Sequence, residues 1–161
     1  MPIIAIEEDH WMQIMAIQAQ AYRSIAPEPL ATLKSKWEHS PQSCFAYAHH
    51  GEITAYLLAH SWNSHEPPKL YAPVDKNIAG DILFLHDLAI MRESAKRGIG
   101  TQLVKHLLDY AQAQGFARVL LVAIQDSCTY WEKFGFTLQE HPPANETYGT
   151  GAMVMVKILN K

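Results

Sequence analysis

The segment Ala95-Lys96-Arg97-Gly98-Ile99-Gly100-Thr101 decides how the rest of the chain is interpreted. It follows an apolar run at residues 82–91 and precedes a segment of helical periodicity at residues 102–114. A strand that passes through two glycines directly into a helix points several free backbone N–H groups at one spot, and that spot favours a bound phosphate. The sequence therefore predicts an anion-binding turn between a strand and a helix.

Two nucleotide-binding motifs differ from this turn. A P-loop requires GxxxxGK[ST], whose spacing and lysine are missing, and a dinucleotide fingerprint requires GxGxxG, whereas position 103 is Leu. A Gly-x-Gly turn before a helix also has a purely structural explanation. The turn by itself leaves open a structural role, a nucleotide-phosphate-binding protein or another phosphate ligand.

The composition is that of a globular protein. With 161 residues, of which 48% are hydrophobic and 18% charged, we expect one domain, residues 1–161. A net charge of −3 without clustered Lys and Arg argues against nucleic acid, and no apolar run approaches the roughly 18 residues of a membrane helix. The first ten residues carry Glu7, Glu8 and Asp9 and lack the features of a secretion signal. Cys44 and Cys128 lie far apart in the sequence and fit a reducing compartment, so we expect a cytoplasmic protein.

Hydrophobic periodicity predicts alternating strands and helices. The predicted strands are residues 3–6, 44–48, 53–61, 82–91, 119–124, 137–140 and 152–159. The predicted helices are a first one capped by Asp9 and running to residue 21, then residues 30–37, residues 102–114 and a short helix at residues 127–133. Residues 63–80, which contain three prolines, are predicted to form a long loop. The strands on either side of helix 102–114 complete a βαβ unit, so we expect them to lie parallel.

Two segments resemble motifs of the GCN5-related N-acetyltransferase (GNAT) family. The run Leu85-His86-Asp87-Leu88-Ala89-Ile90, followed by the glycine turn, resembles motif A, whose pattern is [Gln/Arg]-x-x-Gly-x-[Gly/Ala] after a strand of the type Leu-x-x-Leu-x-Val. The segment Tyr130-Trp131-Glu132-Lys133-Phe134-Gly135-Phe136 is similar to the end of motif B, commonly Phe-Tyr-Glu-Lys-x-Gly-Phe. The resemblance implies an α/β fold with a central mixed sheet flanked by helices on both faces. It also implies acetyl-CoA as co-substrate without a metal, and a homodimer is common in the family.

The family resemblance also assigns the cofactor contacts. It implies that acetyl-CoA lies in a gap between the two parallel strands, with its pyrophosphate on the N–H groups of residues 97–101 and its pantetheine arm along residues 88–90. A strand N–H there would polarise the thioester carbonyl, and the amine would attack it without an acyl-enzyme. The predicted cofactor-binding residues are Leu88, Ala89, Ile90, Ala95, Lys96, Arg97, Gly98, Ile99, Gly100, Thr101 and Trp131.

Two positions depart from the family pattern. Ala95 stands where Gln or Arg is usual, although Lys96 and Arg97 keep cationic side chains beside it. Trp131 stands where a Tyr usually protonates the leaving thiolate, and an indole N–H cannot serve as that acid. A catalytically silent acyl-CoA-binding or sensor module is therefore the alternative function. The candidate acids are Tyr130, which lies about 100° from Trp131 around a helix, and Tyr148.

The strand before the turn supplies two candidates for the general base. An acceptor amine with a pKa of about 10.4 is neutral in roughly 0.04% of molecules at pH 7, so a base is needed to take its proton. His86 suits proton transfer near neutral pH, whereas Asp87 would orient a cationic amine or act through water. Because side chains alternate along a strand, only one of the two faces the site unless a bulge re-aims its neighbour.

The acceptor is expected to be a small-molecule or peptide amine. The resemblance places its pocket at residues 22–30, 63–80 and 148–151. The histidines at positions 49, 50, 60 and 65 lack metal-ligand spacing such as HExxH, and no metal is expected.

Overall fold

The computed structural model describes residues 2–22, 26–75, 78–124 and 127–159, and in these ranges seven strands form one mixed sheet. The order across the sheet is β1-β2-β3-β4-β5-β7-β6, and β4 and β5 are its parallel pair while the other neighbours are antiparallel. The strands are β1 (Ile3–Ala5), β2 (Phe45–His49), β3 (Glu52–Trp62), β4 (Ile82–Ile90), β5 (Arg118–Ala123), β6 (Thr137–Leu138) and β7 (Met153–Ile158). The predicted parallel βαβ unit is confirmed.

Helices cover both faces of the sheet, as the sequence predicts. They are α1 (Trp11–Ala21), α2 (Leu30–His39), α3 (Ile99–Gln114) and α4 (Cys128–Glu132). The apolar stripe of α3, which includes Leu103 and Leu107, is buried with Leu57 and Leu121 on one face. Side chains alternate along a strand, so the neighbouring β3 positions face the other way and pack under α1 and α2.

Three predicted boundaries are wrong. Asp9 does not cap α1, because it lies inside a 3₁₀ turn at Glu8–His10 and His10 occupies the cap position. The helix after the glycine turn begins at Ile99 rather than at residue 102, so part of the predicted anion-binding turn is the first turn of α3. The strand predicted at residues 137–140 is limited to Thr137–Leu138.

The two parallel strands separate halfway along their length. Pairing between β4 and β5 runs from Ile82↔Arg118 to Leu85↔Leu121 and then stops. Beyond Leu85, β4 keeps its pairing with β3, but no strand of the described residues lies on its other side. A gap therefore opens between the carboxyl ends of the parallel strands, where the sequence predicts the ligand site.

Candidate active site

The gap between β4 and β5 leads into a cavity of about 330 Å³. One wall is the second half of β4, and the opposite wall is the end of β5 with the start of α4. Side chains from the α1–α2 connection and from the two predicted acceptor loops complete the lining. They include Tyr22, Pro27, Glu28, Leu70 and Tyr148. Residues 23–25 and 76–77 of the predicted acceptor segments lie outside the described residues.

The predicted anion-binding turn lies beside this cavity. Lys96 and Gly98 adopt left-handed backbone angles, with φ of 66° and 77°, and the chain then enters α3. The first N–H that donates within the helix is that of Gln102, to the Gly98 carbonyl at 3.1 Å. The preceding N–H groups, those of Ile99 to Thr101, therefore have no intrahelical acceptor and are free to meet an anion.

Gly100 is required by the close approach of a side chain. A Cβ at this position would lie 2.5 Å from the Tyr130 hydroxyl and 3.0 Å from Ile90 Cδ1. The structure thus places Tyr130, a predicted acid, with its hydroxyl against the first turn of α3. Burial raises the pKa of Tyr130 above the ordinary value.

A β-bulge brings the two candidate bases to the same face of the sheet. Leu58 pairs with Asp87, whereas the next residue of β3, Ala59, pairs with Leu85, so His86 is an extra residue on β4. Strict alternation would place His86 and Asp87 on opposite faces. The bulge is the exception that the sequence left open, and both side chains contact the region covered by α1 and α2.

His86 belongs to a buried charged cluster with Glu28 and Lys36. Its Nε2 hydrogen-bonds to Glu28 Oε1, and Lys36 Nζ lies 3.7 Å from Glu28 Oε2. The Gln18 amide holds Glu28 by bonding both its N–H and its carbonyl, at 3.0 and 3.2 Å. Burial by itself would raise the pKa of Glu28, but His86 and Lys36 outweigh burial and lower it to about 2. Glu28 is therefore an anion that faces His86 Nε2.

Asp87 is enclosed by two tyrosines. The Tyr56 hydroxyl donates to Asp87 Oδ2 at 2.6 Å, and the Tyr22 hydroxyl contacts both Asp87 Oδ1 and, at 3.1 Å, the Leu88 carbonyl. Asp87 is 6% exposed, and burial raises the pKa of its carboxyl above the ordinary value. Burial also raises the pKa of both phenols well above 10.

The remaining predicted residues sit at the edge of the cavity. Tyr148 is buried and donates its hydroxyl to the Pro68 carbonyl at 2.6 Å, and burial raises its pKa. Trp131 is buried in the cluster that α3 forms with the sheet and also lines the cavity. The predicted site residues at positions 86–90, 130, 131 and 148 thus meet in one cavity.

Sequence reasoning missed four residues of the site. Tyr22 and Glu28 fall in a segment that was predicted to line the acceptor pocket, but neither received a role. Lys36 and Tyr56 follow the periodicity of a helix and a strand and so resemble ordinary core positions, although a lysine that is 1% exposed is rare. The contacts of Tyr56, Glu28 and Tyr22 with residues 86 and 87 join positions 31, 58 and 65 apart, which no local pattern reveals.

The described residues hold one group of possible metal ligands, Glu7, Asp9 and His10, and none of the three lines the cavity. In the same residues, no helix is long and apolar enough to cross a membrane.

Comparison with known proteins places the chain among acetyltransferases. The acetyltransferase (GNAT) family model matches residues 11–136. The chain is similar to Ard1 from Thermoplasma volcanium, with a TM-score of 0.78 and 15% identity over 99% of this chain and 97% of that one. It is similar to the ribosomal-protein-S18-alanine N-acetyltransferase from Escherichia coli, with a TM-score of 0.73 and 16% identity over 99% and 94% of the two chains. It is also similar to the GNAT-like decarboxylase GphF in complex with isobutyryl-CoA, with a TM-score of 0.78 and 13% identity over 98% and 99%. No curated protein matches the sequence.

Proposed function

Since the chain belongs to the acetyltransferase (GNAT) family, we propose that it transfers an acetyl group from acetyl-CoA directly to a primary amine. The observation that carries this proposal is the bulge at His86, which brings a histidine and a carboxyl group together at the gap between β4 and β5. The fold of this chain is similar to that of a decarboxylase as well as to that of an N-acetyltransferase. The fold therefore does not select amine acetylation, and the proposal depends on these two side chains.

The donor would bind along the open edge of β4 and the first turn of α3. In the described part of the chain, the backbone beyond Leu85 has no strand on its β5 side, so it can pair with the pantetheine arm. The N–H groups of residues 99–101 and the helix dipole would hold the pyrophosphate, and an anion at a helix N-terminus gains about 0.3–1 kcal/mol per contact. The side chains of Lys96 and Arg97 are exposed beside this turn and supply positive charge.

His86 would remove the proton of the attacking amine. Because Glu28 is an acceptor at Nε2, the neutral imidazole carries its proton on Nε2 and leaves Nδ1 as the basic nitrogen. Within the described part of the chain, Nδ1 is buried and has no hydrogen-bond partner. Glu28 would also stabilise the imidazolium that forms, as a carboxylate does in a hydrolase triad.

The acceptor would enter beside the α1–α2 connection. The buried cluster contains two carboxyl groups, Glu28 and Asp87, against one lysine, Lys36, and this balance favours a cation such as an amine. A small-molecule or peptide amine fits this chemistry. The free thiols of Cys44 and Cys128 are compatible with a cytoplasmic enzyme.

One specific observation favours the alternative of a catalytically silent acyl-CoA sensor: buried Trp131 occupies the position of the usual acid. Calorimetry with acetyl-CoA and an assay of CoA release with a panel of amines separate the two. We expect acetyl-CoA to bind and amines to release CoA. His86→Gln should bind acetyl-CoA normally but lose roughly 10²- to 10⁴-fold in rate, whereas His49→Gln, at an exposed hairpin position, should match the wild type. Binding without amine-dependent release would establish the sensor, and absence of binding would overturn both.

A further inference from the structure

The acceptor side of the cavity is mostly apolar. It is the part of the lining that comes from the α1–α2 connection and from the two predicted acceptor loops, and we name it the acceptor wall. Its members are Tyr22, Ala26, Pro27, Glu28, Leu70 and Tyr148. The side chains of Ala26, Pro27 and Leu70 have no polar atoms, so every polar side-chain atom of the wall belongs to the two tyrosines and the glutamate.

Both tyrosines of the acceptor wall use their hydroxyls on oxygens of the protein. The Tyr148 hydroxyl donates to the Pro68 carbonyl at 2.6 Å. The Tyr22 hydroxyl contacts Asp87 Oδ1 and, at 3.1 Å, the Leu88 carbonyl. A phenol has one proton, and in each tyrosine that proton is already shared with a protein acceptor. The two residues therefore contribute aromatic surface to the wall rather than a free hydrogen-bond donor.

The two carboxyl groups of the cavity are buried and engaged as well. Glu28 is 4% exposed, and its Oε1 contacts His86. Its Oε2 accepts from the Tyr71 N–H at 3.1 Å and lies 3.7 Å from Lys36 Nζ. Asp87 is 6% exposed, and each of its oxygens accepts from a tyrosine hydroxyl. A second ammonium group on a ligand would have to break these contacts to reach either carboxyl group, so the cavity offers it no partner.

The cavity does offer one buried hydrogen-bonding position. Of the buried polar side-chain atoms that lack a hydrogen-bond partner in the described part of the chain, His86 Nδ1 is the one whose residue lines the cavity. The attacking amine would fill this position, because Nδ1 is the nitrogen that would receive its proton. A carboxylate on the acceptor would meet the carboxyl groups of Glu28 and Asp87, and among the described residues of the lining there is no lysine or arginine to offset them. The site therefore provides for the amine but not for a further charged group.

We propose that the acceptor is a small primary monoamine on an apolar body, an alkylamine or arylalkylamine, and not a polyamine, an amino acid or a peptide. This substrate class rests on the proposed acetyl transfer. The cavity of about 330 Å³ lies near the lower end of the range for ligand pockets, and the acetyl end of the donor fills part of it. Beyond its amine, the acceptor gains affinity from apolar contact with the acceptor wall. The backbone amides of a peptide would meet a wall whose polar side chains are already paired.

The test measures kcat/KM for amine-dependent CoA release with pairs of matched amines. In pentylamine and putrescine, an ammonium group replaces the terminal methyl group, and phenethylamine and phenylalanine differ by a carboxylate. We expect the second member of each pair to be at least about 10-fold less efficient, because its extra charge is buried without a partner. From propylamine to pentylamine, each added methylene should raise kcat/KM by up to about fourfold. A short peptide with an N-terminal phenylalanine should be acetylated less efficiently than phenethylamine.

A change in the acceptor wall should alter this preference. Leu70→Asp adds a carboxylate to the wall, so the kcat/KM of putrescine relative to pentylamine should rise by about 10-fold or more. Leu138→Asp is the matched control, because Leu138 is 57% exposed and is not part of the lining, and it should keep the ratio of the wild type. Calorimetry with acetyl-CoA checks that each variant is folded. If Leu70→Asp does not fold, the matched amines still decide the question with the wild type.

The possible results separate the substrate class from the proposed function. If the wild type acetylates putrescine, phenylalanine or the peptide as efficiently as the apolar amines, the substrate class is overturned while acetyl transfer still stands. An unchanged amine preference in folded Leu70→Asp would also overturn it, because the acceptor would then not lie against the wall. If acetyl-CoA binds but no amine releases CoA, the proposed function fails, and the substrate class fails with it.

Discussion

Substitution of His60 by leucine should reduce, by about 2 kcal/mol, the stability that the protein loses between pH 7 and pH 5. His60 is fully buried in β3, with its ring against Trp62 and Phe84 at centroid distances of 5.7 and 5.6 Å. Its Nδ1 lies 2.9 Å from the Ser61 carbonyl, so Nδ1 must be the donor and Nε2 carries the lone pair. Among the described residues, Nε2 has no partner.

The magnitude follows from the shift in pKa. Burial, with smaller contributions from His86, Lys36 and His39, lowers the pKa of His60 from 6.5 to about 3. The unfolded chain therefore takes up a proton below pH 6.5 that the folded chain refuses until about pH 3, and stability falls as the pH falls through this window. Each pKa unit corresponds to about 1.4 kcal/mol, so the cost is about 2 kcal/mol at pH 5 and on the order of 5 kcal/mol at pH 3.

Urea unfolding gives the free energy of unfolding of each protein at pH 7 and at pH 5. The pH-dependent loss in the wild type is then compared with that in His60→Leu. The wild type should lose about 2 kcal/mol more between the two pH values than His60→Leu does. His65→Gln, at an exposed histidine, is the matched control and should behave like the wild type. Equal losses in the wild type and in His60→Leu would refute the reasoning, because His60 would then be protonated equally in the folded and unfolded chains.

Two further changes test the buried cluster and the turn. Lys36→Met should cost about 3–5 kcal/mol in urea unfolding, because it removes one of the two cationic side chains beside the buried carboxylate of Glu28. Lys34→Met, which breaks a pair with exposed Glu8, should cost less than about 1 kcal/mol, and similar costs for the two changes would contradict the argument. Gly98→Ala and Gly115→Ala both place a side chain at a left-handed position, with φ of 77° and 82°, and each should cost about 1–2 kcal/mol. Calorimetry should show weaker acetyl-CoA binding for Gly98→Ala alone, and an equal loss in both would mean that the turn does not bind the pyrophosphate.

The parts of the fold that the sequence predicts are those with a strong local cause. The apolar stripe of α3 and the continuous apolar run of β5 define the βαβ unit, and two strands joined by a crossover helix in one sheet run parallel. The prediction that Asp9 caps α1 is wrong for a local reason too. The side chains of Glu7 and His10 each accept a hydrogen bond from the other's backbone N–H, and this pairing places Asp9 inside a 3₁₀ turn. Such competition between adjacent caps cannot be resolved from residue types alone.

The sequence predicts the site residues that lie on β4 but not the residues that surround them. His86 and Asp87 stand out as two consecutive polar residues between apolar ones, which is what makes them candidates from the sequence. The partners that contact these two residues come from the α1–α2 connection and from β3, at sequence distances that no spacing rule connects. Lys36 shows the difficulty, because in the sequence it resembles a solvent-exposed lysine on a helix. Only the folded chain places Glu28 beside it and lets its Nζ donate to the Ala72 carbonyl at 2.7 Å.

One extra residue accounts for much of the site. Pairing between β4 and β5 ends at Leu85, immediately before the bulged His86, so the gap for the donor begins where the register with β3 shifts. The same shift turns His86 and Asp87 toward one face, where one side chain meets Glu28 and the other meets Tyr22. A regular strand would send one of them into the apolar cluster beneath α3. The bulge thereby brings a histidine and a carboxyl group together in one cavity, although strict alternation would have separated them.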